Sequence, residues 1–521
     1  MTLEPSDTMS GRYYLGFDAG TQSVKVVVYD GDGECVAQVS HPTTIRYPEP
    51  RCVEMDPDEY LALTIQGIRE CTEEMRSKGL DPLEIRSVMG DGIICGITGI
   101  DADGNAVTPF INYLDSRTQE DADAINDMGL DIWGEETGNA DASCMFPALF
   151  ARWFLRNSPE FRERGCKFVH NAPYILMHLA GLKAEDAFID QGAMSGWGLG
   201  YKVLEKRWSE EQLGILGIDP KYMPRIVKPW DIVGHVPSDI AEKTGLRVGT
   251  PVCGGAGDTM QSMLGCGVFR PGMAVDVAGT CAMFCVSTDG IVPRLSSHGT
   301  ELIFNSGSLD DTYFYWGFIR TGGLSLRWFK DSVYGGDVGY EDLSRGAAEV
   351  PAGSRGVTFL PYLTGGYGDM TDASGAFLNM TLDTDRSALW RSVLEAIGYD
   401  YMGVTDVYRD AGVDLSRIII TEGGSADPVW NQIKADMIGS EAVVMKTRGG
   451  AVMTDCAMGA YAVGDEKDLL EALGNAAEVD RRFEPDSGNT KLYRRFYDER
   501  TSVLEGMKGV FSTLKGMGGL R

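Results

Sequence analysis

The 521-residue chain has few histidines and no paired-cysteine motif. Its five histidines show no metal-ligand spacing, and its 11 cysteines are scattered without a C-x-x-C pair, so we predict no structural metal site. Unpaired cysteines of this kind are typical of a reducing compartment. We therefore expect a cytoplasmic protein.

Basic residues are also in short supply. The 47 Lys and Arg are outnumbered by 76 Asp and Glu, which gives a net charge of −29. This balance argues against binding to nucleic acid, whose backbone requires basic patches, and against binding to anionic membrane surfaces. No apolar run is long enough to span a bilayer, and the polar stretch from Thr2 to Ser10 lacks the features of a secretory signal. We expect no nucleic-acid partner and no membrane partner.

The two common glycine-rich phosphate motifs, G-x-x-x-x-G-K-[ST] and G-x-G-x-x-G after a strand, are absent. Instead, Asp18, Gly20 and Thr21 follow an apolar strand, and a second apolar run at 26–29 ends in an Asp/Gly turn at 30–33, which predicts a β-hairpin. Gly20 would let the backbone approach an anion, and the Thr21 hydroxyl could donate to it. Asp18 could hold Mg²⁺ or its waters. The segment predicts a phosphate-handling loop, with an ordinary hairpin as the alternative.

Residues 273–287 repeat this pattern. An apolar strand reaches Gly279 and Thr280 and then continues as a strand, which indicates an internal duplication. Alignment of the two Gly-Thr pairs puts Val277 where Asp18 stands. We therefore expect the metal-holding carboxylate in the first half only, with two half-sites that grip a polyphosphate.

A third glycine turn lies between a buried strand and a helix at 417–439. Asp427 suits the N-cap of that helix, Pro428 its first position and Gly439 its end. Glycine turns at such junctions are common in structural roles. With two phosphate loops upstream, we interpret Gly423-Gly424-Ser425 as a turn that faces adenosine.

Asp258 is the candidate catalytic residue. It follows a strand and a glycine-rich turn at 250–257 and would begin a helix at 259–265. At a helix N-terminus the macrodipole favours an ionised carboxylate, which can accept a proton from a substrate hydroxyl. A capping Asp without chemistry is the alternative.

Together these motifs resemble the FGGY carbohydrate kinase family, and the chain is similar to xylulokinases from about Tyr13 to Gly464. Further matches are Tyr113-Leu114-Asp115-Ser116-Arg117, Thr137-Gly138-Asn139, Pro361-Tyr362-Leu363, the run from Gly375 to Glu395, and Met458-Gly459-Ala460. Each of these motifs is short, and the resemblance to the family rests on their occurrence together in the same order along the chain.

The resemblance implies an α/β protein with two ribonuclease-H-like (actin-like ATPase) domains and a deep cleft between them. We expect domains at 12–257 and 258–464, followed by C-terminal helices at 465–521 that pack back on the first domain. A homodimer is expected from the family.

The resemblance also implies a set of site residues. Asp258 would be the general base, and Asp18 the ligand of Mg²⁺. ATP would be bound by Gly20, Thr21, Gln22, Lys25, Gly279, Thr280, Gly323, Gly423, Gly424 and Ser425. The substrate would be bound by Asp91, Gly92, Tyr113, Asp115, Arg117 and Asp258.

Three departures from the family pattern concern the substrate. Xylulokinases usually carry Met-His-Gly where this chain has Gly90-Asp91-Gly92, which resembles the erythritol kinase branch. Tyr113 replaces a Trp, and Gly365-Gly366-Tyr367 replaces Gly-Glu-Arg. A carboxylate at 91 could accept two hydroxyl donors from a polyol as well as from a ketose.

The sequence therefore predicts ATP- and Mg²⁺-dependent phosphorylation of a sugar or sugar-derived polyol, with a pentulose such as xylulose as the leading substrate. An erythritol or polyol kinase of the same family is the first alternative. A catalytically silent regulator that binds sugar or nucleotide is the second. An actin-like ATPase with a protein client is the third, but it would leave the Asp115 and Arg117 motif unexplained.

Overall fold

The computed structural model describes residues 11–268, 270–279, 282–319, 322–363, 365–366, 370–446, 450–474 and 479–517. The strands, in chain order, are β1 (Tyr13–Ala19), β2 (Ser23–Asp30), β3 (Cys35–Pro42), β4 (Glu54–Met55), β5 (Ile85–Gly92), β6 (Gly96–Ile100), β7 (Phe110–Asn112), β8 (Lys167–Val169), β9 (Phe188–Asp190), β10 (Tyr201–Lys202), β11 (Arg207–Trp208), β12 (Arg225–Val227), β13 (Ile232–His235), β14 (Pro251–Cys253), β15 (Ala256–Gly257), β16 (Met273–Ala278), β17 (Ala282–Thr288), β18 (Ile303–Ser306), β19 (Tyr313–Ile319), β20 (Thr358–Leu360), β21 (Ala376–Leu378), β22 (Arg417–Thr421), β23 (Glu441–Met445) and β24 (Val479–Phe483). The α-helices are α1 (Pro57–Ser77), α2 (Gln119–Asn126), α3 (Ile132–Thr137), α4 (Pro147–Asn157), α5 (Pro159–Arg164), α6 (Asn171–Leu179), α7 (Glu210–Leu216), α8 (Ser238–Thr244), α9 (Asp258–Gly265), α10 (Gly322–Trp328), α11 (Tyr340–Ala348), α12 (Arg386–Asp410), α13 (Pro428–Ile438), α14 (Ala451–Ala462), α15 (Leu469–Gly474) and α16 (Ser487–Met517).

The chain forms two compact units and passes between them several times. The first unit comprises the described residues within Met1–Phe269, Thr288–Tyr315 and Gly449–Glu478, and the second those within Arg270–Ser287, Trp316–Arg448 and Val479–Arg521. These units differ from the continuous domains expected at 12–257 and 258–464. Helix α9 with Asp258 and helix α14 lie in the first unit, because α14 packs on β1 and β5.

A mixed sheet in the order β13-β14-β5-β1-β2-β3 forms the centre of the first unit, with β15 also paired to β5. Strand β1 is antiparallel to β2 and parallel to β5, which confirms the expected hairpin. The Asp30 side chain ends the hairpin's second strand, because its Oδ1 accepts the amides of Asp32 and Glu34 at 3.0 and 2.9 Å.

Helices cover both faces of this sheet. Helix α1 packs on β2 and β3, and it begins after Asp56, whose side chain accepts the amide of Asp58. Helix α14 approaches β1 closely at Gly16, where an added Cβ would lie 2.7 Å from Cγ1 of Val452. Glycine at this position therefore allows α14 to lie directly on the strand that ends at Asp18.

The second unit repeats the arrangement. Its strand β16 is antiparallel to β17 and parallel to β22, as β1 is to β2 and β5. The sheet continues through β23 and β24. Inside it, the buried Asp276 accepts hydrogen bonds from Lys434 and Tyr401. The internal duplication expected from the two Gly-Thr loops is thus visible in the strand topology.

Helix α16 packs within the second unit, so the expectation that the C-terminal helices pack on the first domain was wrong for α16, whereas α15 does lie in the first unit. Helix α16 contacts α13, and its buried Tyr493 donates to Oε1 of Glu395 on α12 at 2.7 Å. Arg494 forms a two-pronged ion pair with Asp406, also on α12. These contacts fix the helix to the second unit's own helices.

Candidate active site

The first glycine loop joins β1 to β2 and is held by hydrogen bonds to its backbone. The Gly20 amide donates to the Ser23 carbonyl at 3.1 Å, so it is engaged within the turn. The Tyr60 hydroxyl donates to the Gly20 carbonyl at 3.0 Å, and the Thr43 hydroxyl donates to the Thr21 carbonyl at 2.7 Å. The loop is therefore a fixed platform, and Gly20 contributes room and not a free donor.

Polar side chains lie around the tip of this loop. Lys25 on β2 lies opposite Asp18 on β1, as the hairpin register requires. The Thr21 hydroxyl is 3.1 Å from the hydroxyl of Tyr113, which is 41% exposed. Gln22 is exposed at the tip. This arrangement brings Asp18, Thr21, Gln22, Lys25 and Tyr113 together, as the sequence predicted for the loop and one substrate residue.

Three strand ends bring carboxylates to one place. Asp18 is the register partner of Asp91 in the parallel pair β1–β5, and Asp91 is in turn the partner of Ala256 on β15. Asp258 follows β15 immediately, as the first residue of α9. The structure thus unites the predicted base, metal ligand and substrate carboxylate.

Asp258 has the electrostatics of a base that works near neutral pH. Burial first, and the neighbouring charge of Asp18 second, raise its pKa to about 7. The amide of Thr259 at 2.5 Å and its hydroxyl at 3.1 Å donate to Oδ1 and oppose the shift. Asp258 remains partly exposed to solvent.

Asp18 and Asp91 are also shifted. Burial raises the pKa of Asp18, while Asp91 and Lys25 oppose that shift. Burial, then the charges of Asp455 and Asp18, raise the pKa of Asp91 well above its ordinary value. No described N–H or hydroxyl group donates to Oδ1 of Asp18 or to either oxygen of Asp91, and the partners within reach are other carboxyl groups. Buried carboxyl groups without such donors are costly, and they are commonly found where a ligand completes a site.

Asp455 on α14 was missed by the sequence analysis. It is fully buried, and its Oδ1 accepts the side-chain amide of Gln261 on α9 at 2.6 Å. Gln261 is oriented in turn by Ser308, whose hydroxyl donates to Oε1 at 2.8 Å. One signal could have found Asp455, because it is the single ionisable acid in the apolar run from Ala451 to Ala462.

Glycines on β5 serve close packing. An added Cβ at Gly92 would lie 2.6 Å from Oδ1 of Asn171, whose side-chain amide donates to the Ala19 carbonyl at 2.7 Å. An added Cβ at Gly90 would collide with the Phe17 ring. Gly92, predicted to contact substrate, therefore leaves room for Asn171 to support the end of β1.

Asp115 and Arg117 form a buried ion pair. Arg117 Nε donates to Asp115 at 2.9 Å, and its Nη2 donates to Glu54 at 2.7 Å. Asp115 also accepts the Val53 amide at 2.6 Å, and the Arg117 guanidinium stacks 4.7 Å above the Trp153 ring. Both side chains are occupied by protein partners, so substrate binding by them stays a prediction.

A cavity of about 490 Å³ lies in the second unit, at the ends of β16 and β22. It is lined by Ala278, Gly279, Gly323, Leu326, Arg327, Tyr340, Glu341, Ser344, Trp390, Gly423, Gly424, Ala426, Asp427, Pro428 and Trp430. Four predicted nucleotide residues thus share one cavity with two tryptophans. Its size and apolar, aromatic lining suit a nucleoside.

The double-glycine turn is built as the sequence predicted. Asp427 caps α13 by accepting the amides of Val429 and Trp430 at 2.9 and 3.2 Å. An added Cβ at Gly424 would collide with Ala278 and lie 2.8 Å from the Trp430 ring. Ser425 is buried beside the cavity.

Some predicted positions lie outside the described residues. They are Thr280, of the second Gly-Thr pair, and Tyr367, of the departure at Gly365-Gly366-Tyr367.

Among the described residues, no group of three or more His, Cys, Asp or Glu is arranged to hold a metal ion. None of the helices in the described ranges is long and apolar enough to cross a membrane.

The class of protein follows from two family domains that together match most of the chain. The N-terminal domain of the FGGY family of carbohydrate kinases matches residues 13–265, and its C-terminal domain matches residues 274–462. The chain therefore belongs to the FGGY family of carbohydrate kinases. It is a sugar kinase, and kinases of this family use ATP.

Its relatives carry different substrate names. It is 25% identical to a xylulose kinase of Staphylococcus epidermidis over 96% of this chain and 98% of that one. It is 26% identical to a gluconokinase of Bacillus subtilis over 92% and 93%, and 28% identical to a glycerol kinase of Aromatoleum aromaticum over 91% and 94%.

The fold class is confirmed by a solved structure. The xylulose kinase of Rhodospirillum rubrum superposes with a TM-score of 0.84 at 23% identity and covers 96% of this chain and 100% of its own. The α/β fold is thus that of the actin-like ATPases, in two FGGY domains.

Proposed function

We propose that this kinase transfers the γ-phosphoryl group of ATP to a hydroxyl group of a pentulose such as xylulose, with Asp258 as the general base. The observation that carries the proposal is the position of Asp258 at the first residue of α9, beside Asp18. As the new phosphorus–oxygen bond forms and the bond to ADP breaks, the acceptor hydroxyl gives its proton to the Asp258 carboxylate. Such transfer depends mainly on alignment, so a base with a pKa of about 7 suffices.

The nucleoside of ATP would occupy the cavity of the second unit. Gly279, Gly323 and Gly424 leave room for it there, and Trp390 and Trp430 supply aromatic surface. The amide of Gly323 donates to the Gly279 carbonyl at 3.1 Å, so the glycines shape the cavity and are not its main donors.

Mg²⁺ would be held by Asp18. Mg²⁺ is usually bound by one or two carboxylates together with phosphate oxygens and waters, and not by an all-protein cage. Asp18 offers one such carboxylate, with Oδ1 buried and without an N–H or hydroxyl donor among the described residues. When bound, the ion would neutralise negative charge on the phosphates.

A small polyol such as erythritol is the second candidate acceptor. The observation that favours it is Asp91, which stands where xylulokinases usually carry an imidazole. A carboxylate accepts hydrogen bonds from two hydroxyl groups, and a polyol offers such pairs along its whole chain.

The test is ADP release with ATP and Mg²⁺ against xylulose, ribulose, xylitol, erythritol, glycerol and gluconate. Asp258→Asn keeps the shape of the side chain and removes the base, so we expect kcat to fall by about 10²–10⁴. Asp239→Asn, at an exposed ion pair on α8, is the matched control and should keep wild-type turnover. Unchanged turnover in Asp258→Asn would mean that Asp258 only begins helix α9 and is not the general base. Binding of sugar and nucleotide without turnover in the wild type would favour the regulator.

A further inference from the structure

A fully buried ion pair lies inside the second unit, between β16 and α13. The side chains of Asp276 and Lys434 are both 0% exposed, and the Lys434 ammonium donates to Oδ2 of Asp276. The hydroxyl of Tyr401 on α12 donates to Oδ1 of the same carboxylate at 2.5 Å. Neither charged side chain is among those that line the cavity of this unit. Nucleotide binding, as proposed above, therefore leaves the pair unexplained.

On the helix side, the pair contacts the wall of the cavity through Trp430. Lys434 follows Trp430 by one helical turn on α13, and a helical side chain points back toward the preceding turn. Its Nζ lies 3.7 Å from the centroid of the Trp430 ring. Trp430 is itself one of the residues that line the cavity. The ammonium thus binds the ring and the Asp276 carboxylate at the same time.

On the strand side, the pair lies next to another part of the same wall. Asp276 precedes Ala278 by two residues on β16, so the two side chains project from the same face of the sheet. Ala278 lines the cavity. The ion pair therefore connects the strand that carries Ala278 to the helix that carries Trp430.

The glycine turn of the cavity is packed between these two residues. An added Cβ at Gly424 would lie 2.4 Å from Cβ of Ala278 and 2.8 Å from Cζ3 of Trp430. With so little room, a displacement of the Trp430 ring would also displace the turn. The position of Trp430 therefore determines the shape of this side of the cavity.

Net stability is a weak reason to keep such a pair. Removing two charges from water costs about as much free energy as their attraction returns, and apolar residues of similar volume are often as stable. What the pair adds is one defined arrangement, because the carboxylate accepts from both Lys434 and Tyr401 and the ammonium lies on the Trp430 ring.

We propose that Lys434, held by Asp276, is a positioning residue for the nucleotide, and that it fixes Trp430 in the wall of the cavity so that the nucleoside part of ATP binds. The inference rests on the proposed function, which puts the nucleoside in this cavity. It deepens that function by naming a buried pair that acts on nucleotide binding without contact with the nucleotide.

The test is the double variant Asp276→Asn/Lys434→Met in the full chain. Asn keeps the shape of Asp276 and can still accept the Tyr401 hydroxyl, and Met keeps a long unbranched side chain without the ammonium. Because no unpaired charge is left buried, the midpoint of urea denaturation should stay close to that of the wild type. We expect the KM of ATP to rise about tenfold, with kcat and the KM of the acceptor within twofold.

Calorimetry separates the nucleoside from the phosphates. In the double variant the Kd of ADP should rise about tenfold, as for ATP. The Kd of inorganic tripolyphosphate with Mg²⁺, which carries no nucleoside, should stay within twofold. Equal weakening of ADP and tripolyphosphate would overturn the inference, since the change would then act on phosphate binding.

Arg417→Met/Glu441→Gln is the matched control. It also removes both charges of an ion pair from this sheet, but Arg417 begins β22 and so lies at the end opposite the cavity. The KM of ATP should stay within twofold of wild type. A rise as large as that in Asp276→Asn/Lys434→Met would overturn the inference, because any loss of charge in the sheet would then have the same effect.

Trp430→Phe tests whether the pair acts through this ring. Alone it should raise the KM of ATP, and added to Asp276→Asn/Lys434→Met it should raise the KM no further. Effects that add would overturn the inference, since independent sites are additive. If the double variant does not fold, Trp430→Phe decides: a higher KM of ATP would support the inference, and a KM within twofold of wild type would overturn it.

Two outcomes separate this inference from the proposed function. If an acceptor is phosphorylated and the double variant keeps the wild-type KM of ATP, the inference is overturned while phosphoryl transfer by Asp258 stands. If the wild type phosphorylates no acceptor, the proposed function fails, and the Kd of ADP decides the inference. A rise in the double variant would support it, and the wild-type value would overturn it.

Discussion

Asp18 on β1 and Asp91 on β5 stand opposite each other in a parallel strand pair, and Lys25 stands opposite Asp18 on β2. The second unit repeats the backbone pattern, with Val277 opposite Thr421 at the corresponding strand positions. At these strand positions the duplicated scaffold therefore carries charged side chains in the first unit and uncharged ones in the second. The second unit uses the same strand ends to shape an apolar cavity.

The pH dependence of kcat/KM tests the role of Asp258. Its pKa is raised to about 7, mainly by burial, so the carboxylate that accepts a proton is lost as the pH falls below 7. We expect kcat/KM for the acceptor to rise with pH up to a midpoint near 7 and to fall about tenfold per pH unit on the acid side.

Circular dichroism across the same pH range is the control for unfolding. A rising limb with its midpoint near 4 would mean that Asp258 titrates like an ordinary carboxyl group. In that case burial would not raise the pKa of Asp258.

Local patterns predicted the parts of the site that lie on single hairpins and turns. The apolar runs around Gly20, the Asp/Gly turn at 30–33 and the Asp427-Pro428 start of α13 are set by neighbouring residues, and the structure confirms them. The placement of Asp258 at the start of α9 follows from the glycine turn before it. Short-range propensity is sufficient for such features.

Contacts between distant segments were not predictable in this way. Asp455 reaches Asp91 only because α14 returns to lie on β5, and nothing near residue 455 encodes that return. The division of the chain into its two units depends on the same packing. Asp115 and Arg117 show the opposite case, since a motif read as substrate-binding is occupied by Glu54 and Trp153 from other segments.

Gly424→Ala tests the nucleoside cavity. The added methyl group would collide with Ala278 and press on the Trp430 ring, which would displace the turn that lines the cavity. We expect the KM of ATP to rise about tenfold, which corresponds to ~1.4 kcal/mol, while the KM of the acceptor stays within twofold.

Gly506→Ala is the matched control for that change, because an added Cβ on this part of α16 meets no atom within 4 Å. It should leave both KM values unchanged. An unaltered KM of ATP in Gly424→Ala would place the nucleoside elsewhere.

Arg117→Met tests whether the Asp115–Arg117 pair is structural. Arg117 is 7% exposed and Asp115 is fully buried at the side chain, so loss of the guanidinium leaves a buried carboxylate without its ion pair. We expect the free energy of unfolding, measured by urea denaturation, to fall by ~3 kcal/mol. Arg207→Met removes an exposed pair with Glu205 and should cost less than ~1 kcal/mol. Equal effects of the two changes would contradict a structural role for the buried pair.

Asp455→Asn tests the energetic cost of the acid cluster. Burial is the main cause that raises the pKa of Asp455 from 3.8 to about 7. A carboxyl group with a higher pKa in the folded state binds more protons when folded, so the free energy of unfolding falls as the pH rises from about 4 to about 7. The penalty is complete above pH 7, and the neutral Asn escapes it. We therefore expect Asp455→Asn to be more stable than wild type by ~2 kcal/mol at pH 8, with no such gain at pH 4, in urea unfolding at both pH values.

Asp103→Asn, at an exposed ion pair with Lys183, is the control and should change stability by less than ~1 kcal/mol at either pH. A loss of stability at pH 8 in Asp455→Asn would mean that the ionised Asp455 is stabilised by its neighbours. Burial of its charge would then carry no net cost to the folded protein.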